Sequence, residues 1–232
     1  NSYRMKKLLL ILLCLPMIGY GQQMTYVPDD NFEQALIYKG FDFVLDDYVN
    51  TASIDTVTYL LLEGCQISDL TGIEDFTALT KLSCEDNQFT SIDVSNNINL
   101  EELDCHFNQL TSLDVSNNPA LTALNCRSNQ LTSLDVRNGN NQNISQFLSW
   151  SNPNLNCINV DNPIWSTTNW DFNGHIDSQH YFSNNCSGTA IQEHTTNKEL
   201  LRTTDLLGKE TKNNPLFYIY DDGTVEKKFI LD

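Results

Sequence analysis

The sequence contains few basic residues and few histidines. Its 232 residues include 13 Lys and Arg against 30 Asp and Glu, which gives a formal net charge of -17. Proteins that bind nucleic acids need basic surface to neutralise phosphates, so we expect no nucleic-acid partner. None of the histidines belongs to a His-Glu-x-x-His motif, and no nucleophile-elbow motif is present. The sequence therefore gives no support to an enzymatic activity.

Long hydrophobic runs are also scarce. The longest covers residues 8–18, follows Met5-Lys6-Lys7 and precedes Gly19-Tyr20-Gly21, an order that predicts a secretory signal peptide at residues 1–21. A membrane anchor is one alternative, although the run is shorter than the roughly 20 residues of a spanning helix. A lipoprotein attached at Cys14 is another, although Leu13 is bulky where that processing site requires a small residue. We expect no membrane span in the mature protein.

Four segments of the chain repeat one pattern at a spacing of 21 or 22 residues. Each segment reads apolar-x-apolar-x-x-Asn/Cys-x-apolar, and the segments begin at Leu60, Leu82, Leu103 and Leu124. This is the pattern of leucine-rich repeats, in which each coil buries its apolar side against its neighbours. The sequence predicts a leucine-rich repeat solenoid over residues 57–161, with a parallel β-sheet on the concave face and an irregular convex side.

The last repeat is predicted to be longer than the others. A polar loop at residues 138–143 is expected to bulge outward and to lengthen the period to 24. The inward-facing set of this repeat is then Leu148, Trp150, Leu155, Ile158 and Val160.

Caps are expected at both ends of the solenoid. Residues 22–56 contain an acidic N-cap, helix-forming residues and Gly40 as a stop, so Phe32, Leu36 and Ile37 are predicted to cover the first coil. An independent binding helix is the alternative. Residues 162–186 form the C-terminal cap, whose aromatic residues are Trp165, Trp170, Phe172, Tyr181 and Phe182. A linker at 187–197 leads to a small module at 198–232, with three strands predicted at 200–207, 216–220 and 229–231.

The cysteines fall into two groups. Cys84, Cys105 and Cys126 share one inward position of successive coils. We interpret this column as core packing; a metal site is the alternative, but parallel strands hold thiols side by side instead of around one point. Cys157 and Cys186 flank the aromatic cap, and a disulfide between them would stabilise the fold by about 3 kcal/mol. Two free thiols are the alternative to that bridge.

Two further columns are polar. Asn87, Asn108 and Asn129 are predicted to satisfy backbone groups where the chain leaves the sheet. The second column is Asp93, Asp114 and Asp135, whose carboxylates either splay into water or hold calcium between them. No Asp-x-Asp-x-Asp-Gly loop is present. We therefore expect no cofactor or metal, with calcium left open.

The concave face is the candidate binding surface, because its outward positions combine charged and aromatic residues. Such a mixture on a rigid sheet suits recognition of a protein or a glycan. The candidate ligand-binding residues are Glu85, Asp104, His106, Phe107 and Arg127. The alternative is that these residues are merely solvated positions on a scaffold.

Two regions resemble known families. Residues 110–136, which include Leu-Thr-Ser-Leu-Asp-Val-Ser-Asn-Asn-Pro-Ala-Leu, resemble the 21-residue leucine-rich repeats of exported Bacteroidetes (flavobacterial) proteins, and the likeness covers about residues 26–186. Residues 205–210 and 217–228 are similar to C-terminal sorting domains of the type IX secretion system. The usual Tyr-Pro-Asn-Pro opening is absent, which leaves open that the tail only completes a sheet.

These resemblances imply an export route and a role. A Sec signal would deliver the chain to the periplasm, and the type IX machinery would then move it to the medium or the outer-membrane surface. Together with the concave face, this predicts a non-enzymatic secreted or cell-surface protein that binds a protein or glycan. The alternative is a structural or adhesive component of a surface coat without a specific ligand site.

Overall fold

The computed structural model describes residues 23–170 and 174–186 in full, together with the backbone of three strands at 200–204, 217–220 and 225–227. The predicted signal peptide and linker lie outside the described residues. The chain divides into two units, residues 1–186 and residues 187–232. No helix in the described ranges is both long enough and apolar enough to cross a bilayer.

The first unit is built around a parallel sheet of five three-residue strands, here the first sheet. Its strands are β3 (Tyr59–Leu61), β4 (Lys81–Ser83), β5 (Glu102–Asp104), β7 (Ala123–Asn125) and β9 (Gln146–Leu148). The central residue of each strand is buried, and the register joins Leu60, Leu82, Leu103, Leu124 and Phe147. Apolar-polar alternation produces this arrangement, because successive side chains of a strand point to opposite faces. The predicted leucine-rich repeat solenoid is confirmed.

A second parallel sheet forms where the chain was predicted to be irregular. Its strands are β6 (Ser112–Asp114), β8 (Ser133–Asp135), β10 (Cys157–Asn159) and β11 (Tyr181–Ser183), in the order β11-β10-β8-β6. Leu113, Leu134, Ile158 and Phe182 pair in register. The prediction of an irregular side is therefore wrong from Ser112 onward, because Ser-Leu-Asp alternates as strictly as the residues of the first sheet. Between β3 and β5 the chain forms no strand on this side.

The predicted register of the last repeat is wrong by one residue. Phe147 pairs with Leu124, so the period is 23 instead of 24, and Phe147 and Ser149 are buried. Leu148 and Trp150, predicted to face inward, are only half-buried on the outer side of the strand. A shift of one residue moves every side chain of a strand to the other face. The remainder of the predicted inward set, Leu155, Ile158 and Val160, is buried.

The N-terminal cap consists of two antiparallel strands and two helices. Its elements are β1 (Met24–Tyr26), α1 (Asp30–Tyr38), β2 (Tyr48–Asn50) and α2 (Thr51–Ile54). Asp29 caps α1 by accepting from the backbone of Asn31 and Phe32, and Gly40 follows the helix at a φ of +80°. Phe32 and Leu36 are buried as predicted, whereas Ile37 is only half-buried. Glu33 is also fully buried, and its carboxylate accepts from the backbone of Asp46 and Asp47.

The C-terminal end is an aromatic cluster that continues the repeats on one side. Helix α3 (Pro163–Trp170) brings Trp170 against Phe147, with ring centroids 4.2 Å apart, and Phe182 packs against both rings. Strand β11 pairs in parallel with β10, so the second sheet continues beyond residue 161, where the repeats were predicted to end. The disulfide between Cys157 and Cys186 is confirmed. Phe172 lies outside the described residues.

The second unit contains a three-stranded antiparallel sheet of β12 (Leu200–Thr204), β13 (Phe217–Tyr220) and β14 (Val225–Lys227). The order of the strands is β12-β13-β14. The third strand lies earlier in the sequence than residues 229–231, where it was predicted. Those residues lie outside the described part of the chain.

Candidate binding face of the first sheet

The three inward cysteines form a continuous buried column. Cys84, Cys105 and Cys126 follow β4, β5 and β7, and all three are inaccessible to solvent. Burial raises the pKa of all three thiols, that of Cys126 to about 12. The thiols therefore stay protonated at neutral pH, and each acts as a small apolar side chain.

The asparagine column links each coil to the coil before it. Asn108 Oδ1 accepts from the backbone of Phe89, while Asn108 Nδ2 donates to the carbonyls of Cys84 and Cys105. Asn87 and Asn129 make the same bonds one coil earlier and one coil later. Asn152 continues this column into the last repeat. These bonds hold the turn that follows each strand of the first sheet.

A second asparagine column was not predicted. Asn118 Nδ2 donates to the carbonyls of Val94 and Asn97, and Asn97 Nδ2 donates to those of Ile73 and Phe76. Both side chains are fully buried. The sequence signal was available, because the doublet Asn-Asn recurs at 96–97 and 117–118.

Each aspartate of the column binds the backbone amide two residues later in the chain. Asp93 and Asp114 accept from the amide two residues later, and Asp135 accepts both from the amide of Arg137 and from its guanidinium. Hydrogen bonds from Ser95 lower the pKa of Asp93. Within the fully described residues, no three His, Cys, Asp or Glu side chains converge as a metal site would need.

A group resembling a catalytic triad lies in the interior. Ser149 Oγ is 3.4 Å from His180 Nδ1, and His180 Nε2 is 3.5 Å from Asp177 Oδ2. Ser149 is fully buried, so a substrate cannot reach its hydroxyl. Burial lowers the pKa of His180, against the opposing charge of Asp177. The group packs the last repeat against the C-terminal cap.

The outer face of the first sheet is the face that was predicted to be concave and to bind a ligand. It carries a shallow depression of about 590 Å³. Tyr59, Lys81, Glu102, Ala123 and Gln146 form one row across it, and Leu61, Ser83, Asp104, Asn125 and Leu148 form the next. Lys81 Nζ is 2.6 Å from Glu102 Oε1, and this hydrogen bond raises the pKa of Lys81. The lining of the depression is mixed: Lys81, Ser83, Glu102, Asp104 and Asn125 are polar, whereas Leu82, Leu103, Ala123 and Leu124 are apolar.

At the edge of the depression, three polar side chains form one hydrogen-bonded group, and two of them, Asp104 and Asn125, line it. Asp104 Oδ1 is 2.5 Å from His106 Nδ1, and Asp104 Oδ2 accepts from Asn125 Nδ2 at 3.1 Å. Asn125 is only 9% exposed, and its Oδ1 is buried without a partner in the described chain. Each oxygen of the Asp104 carboxylate thus has a side-chain partner within the group.

Arg127 lies between two aromatic rings. Its guanidinium carbon is 5.7 Å from the centre of the Phe107 ring and 5.3 Å from the centre of the Trp150 ring. Such distances give cation-π attraction to both rings. The Nε of Arg127 is buried and has no partner in the described chain. We call Phe107, Arg127 and Trp150 the aromatic-arginine stack.

Phe107 occupies a backbone position that is unfavourable for a bulky side chain. The residue before each asparagine of the column is left-handed; the φ values are +55° for Asp86, +52° for Phe107, +53° for Ser128 and +61° for Ser151. Gly64, which precedes Cys65 at the same place in the first coil, has a φ of +63°. Glycine, aspartate and serine accept this conformation better than phenylalanine does. Phe107 is nevertheless 52% exposed and packs against His106, with centroids 4.9 Å apart.

Four of the five candidate ligand-binding residues come together. Asp104, His106, Phe107 and Arg127 are joined pairwise by the contacts above, whereas Glu85 accepts from the hydroxyl of Ser83. Sequence reasoning missed Trp150 because the register error placed it in the core. It also missed the role of Asn125, whose polar neighbours are brought together only by strand pairing.

Part of the sequence is similar to a known protein. Internalin J of Listeria monocytogenes serotype 4b (strain F2365) is 42% identical over 80 residues, which is 33% of this chain and 9% of the internalin. The chain thus spans under a tenth of that relative. No protein-family model matches the sequence.

Three solved internalin structures overlap part of the chain. The functional domain of internalin J from Listeria monocytogenes, described as including a cysteine ladder, has a TM-score of 0.49 and 35% identity, over 59% of this chain and 33% of that domain. Internalin F from strain F2365 of the same species has a TM-score of 0.43 and 18% identity, over 59% of this chain and 52% of that chain. Internalin C2 from the same strain has a TM-score of 0.44 and 21% identity, over 59% of this chain and 66% of that chain. The solenoid assignment stands on the strand ladders of the chain itself.

Proposed function

We propose that the chain is a non-enzymatic, exported repeat protein that binds another protein through the outer face of the first sheet. The observation that carries the proposal is the aromatic-arginine stack. An exposed phenylalanine in a strained left-handed conformation costs stability, and strain of this kind tends to be retained at functional sites. Aromatic residues and arginine are also the side chains most enriched at the centres of protein interfaces.

The rigidity of the face supports this function. Asn87, Asn108 and Asn129 fix the turns from which Glu85, His106 and Arg127 project, so the face loses little conformational freedom on binding. We further propose a cell-surface or extracellular location for this chain, and its similarity to internalin J supports this part of the proposal.

The proposed route of export rests on the two ends of the sequence. Residues 1–21 would direct Sec transport, and residues 198–232 would act as a type IX sorting module in a Bacteroidetes cell. A chain lacking residues 198–232 should then accumulate in the periplasm, as measured by fractionation and intact mass. Equal amounts of the full and shortened chains in the medium would contradict this route.

The binding function is tested with a matched pair of aromatic variants. Phe107 on the binding face is 52% exposed, and Tyr181 on the second sheet is 53% exposed. The full chain and each variant are used to capture proteins from surface-protein fractions, with glycan arrays in parallel. We expect one protein to be captured by the wild type and by Tyr181→Ala, but not by Phe107→Ala. Capture that both variants retain, or that both lose, would favour a coat component without a specific site.

A further inference from the structure

We infer that Arg127 is a receptor for a single carboxylate, supplied by an aspartate or glutamate side chain of the protein partner. The inference rests on the proposed binding function and names the group that the site recognises. Its basis is a guanidinium held between two rings, the absence of a counter-ion for it within the described residues, and the hydrogen bonds that the neighbouring acids make to other side chains.

The guanidinium of Arg127 is held in place but not neutralised. The rings of Phe107 and Trp150 lie on either side of it at 5.7 and 5.3 Å. Lys81 and Arg137 are each paired with a carboxylate, Glu102 and Asp135, whereas no ion pair is formed by Arg127 within the described residues. Its buried Nε also lacks an acceptor there. A carboxylate from outside would therefore contact the terminal nitrogens of the guanidinium instead of the buried Nε.

Two acidic residues on the same face, Asp104 and Glu85, accept hydrogen bonds from other side chains. Asp104 is bound by His106 at 2.5 Å and by Asn125 at 3.1 Å, and Glu85 is bound by the Ser83 hydroxyl at 2.6 Å. Neither carboxylate forms an ion pair with Arg127, although the chain carries 30 acidic residues in total. In a chain of net charge -17, an arginine that remains unpaired between two rings is poised for an external anion.

The geometry favours a carboxylate from a protein over a sugar. A planar guanidinium presents paired N–H groups that match a carboxylate in a bidentate manner. A glycan would instead use ring faces for stacking, and Arg127 covers one face of each of the two rings. When the strand register is continued two residues beyond the strands, Glu63 and Glu85 align with Arg127, so the surface of the partner around the bound carboxylate is expected to be neutral or basic.

The test uses small probes on the full chain at physiological salt. N-acetyl-glutamate N-methylamide carries the carboxylate, N-acetyl-glutamine N-methylamide is its neutral isostere, and galacturonate represents an acidic sugar. Binding is followed by ¹⁵N NMR of the Arg127 Nε–H and the Trp150 indole N–H, assigned from Arg127→Gln and Trp150→Phe. We expect the glutamate probe to shift both signals saturably, with a dissociation constant on the order of millimolar, and the glutamine probe to shift neither.

Two further variants separate recognition from charge and from folding. Arg127→Lys keeps the charge but loses the planar fork, so the affinity for the glutamate probe should fall at least fivefold. The matched control is Arg137, which is already bound to Asp135; Arg137→Gln should leave the response at Arg127 unchanged. Equal shifts with the glutamine probe, an unchanged affinity in Arg127→Lys, or tighter binding of galacturonate than of the glutamate probe would overturn the inference.

The outcome is separable from that of the proposed function. If capture of a protein depends on Phe107 but the glutamate probe does not bind, only the carboxylate inference fails. If the probe binds at Arg127 but no protein is captured in a Phe107-dependent manner, the proposed function fails and the anion site remains.

Discussion

Asn108 joins two coils, because its side-chain amide donates to the carbonyl of Cys84, 24 residues earlier, at 3.0 Å. The Oδ1 of the same side chain accepts from the backbone of Phe89 at 3.1 Å. One side chain thus satisfies backbone groups of two successive turns, in a position that excludes water. The stability of the solenoid should depend on this column more than on any surface charge.

Replacing Asn108 should therefore destabilise the whole repeat unit. Asn108→Ala leaves the Phe89 amide and the Cys84 carbonyl without their side-chain partner, and we expect a loss of about 2 to 3 kcal/mol in the free energy of unfolding. The measurement is urea denaturation at neutral pH. Gln109→Ala, at the exposed next position, should change the free energy by no more than about 0.5 kcal/mol. Similar effects of the two changes would contradict the structural role of the column.

Because the backbone at Phe107 is left-handed, two variants at this position should differ in stability in an unusual order. Phe107→Gly and Phe107→Ala both remove the ring, but only glycine adopts a φ of +52° without strain. We expect the glycine variant to be more stable than the alanine variant by about 1 kcal/mol in thermal or urea unfolding. At Gln109, which has no positive φ, the order should reverse. Alanine proving the more stable replacement at both positions would argue against the strain.

The Cys157–Cys186 bridge should stabilise the C-terminal end. It joins residues 29 apart, and the loop-entropy relation gives a contribution of about 3.6 kcal/mol for a loop of this length. The double variant Cys157→Ser, Cys186→Ser should lose about this amount in urea unfolding. Cys65→Ser changes a thiol outside the bridge and is the control. An unchanged unfolding midpoint in the double variant would show that the bridge is dispensable.

His180 should make stability depend on pH. Burial lowers its pKa from the ordinary value of 6.5, so the unfolded chain binds this proton more readily than the folded chain. The contribution is fully present above about pH 6.5 and is lost as the pH falls through the lower folded pKa. We expect the free energy of unfolding to decrease between pH 7.5 and pH 5.5, and His180→Gln to flatten that decrease. His175→Gln, at an exposed position, should leave the slope unchanged. If stability falls with pH equally in the wild type, His180→Gln and His175→Gln, the pH dependence comes from another group.

The stacked coils were predictable from the sequence, because the period and the apolar template leave one way to bury Leu82, Leu103 and Leu124. The second sheet was also encoded, in Ser-Leu-Asp at the same period, but its alternation was taken for irregular structure. The register of the last repeat was not fixed by the sequence. Phe147, Leu148 and Trp150 are all apolar, so two registers satisfy the pattern equally well, and packing of Phe147 on Trp170 decides between them.

The candidate site, too, was only partly predictable from the sequence. Asp104, His106, Phe107 and Arg127 could be placed on one face from the spacing alone. Their mutual contacts could not, because they depend on side-chain conformations across neighbouring strands. The position of Trp150 beside Arg127 depends on the register of β9, and the left-handed φ of Phe107 has no signal in its own residue type.

The most direct test of the central claim is hydrogen-deuterium exchange of the full chain with and without the captured partner. Binding at the outer face of the first sheet should slow exchange at residues 104–107, 125–128 and 148–150. Exchange at residues 112–114 and 133–135 on the second sheet should stay the same. Protection confined to the second sheet, with none around Arg127, would contradict the account.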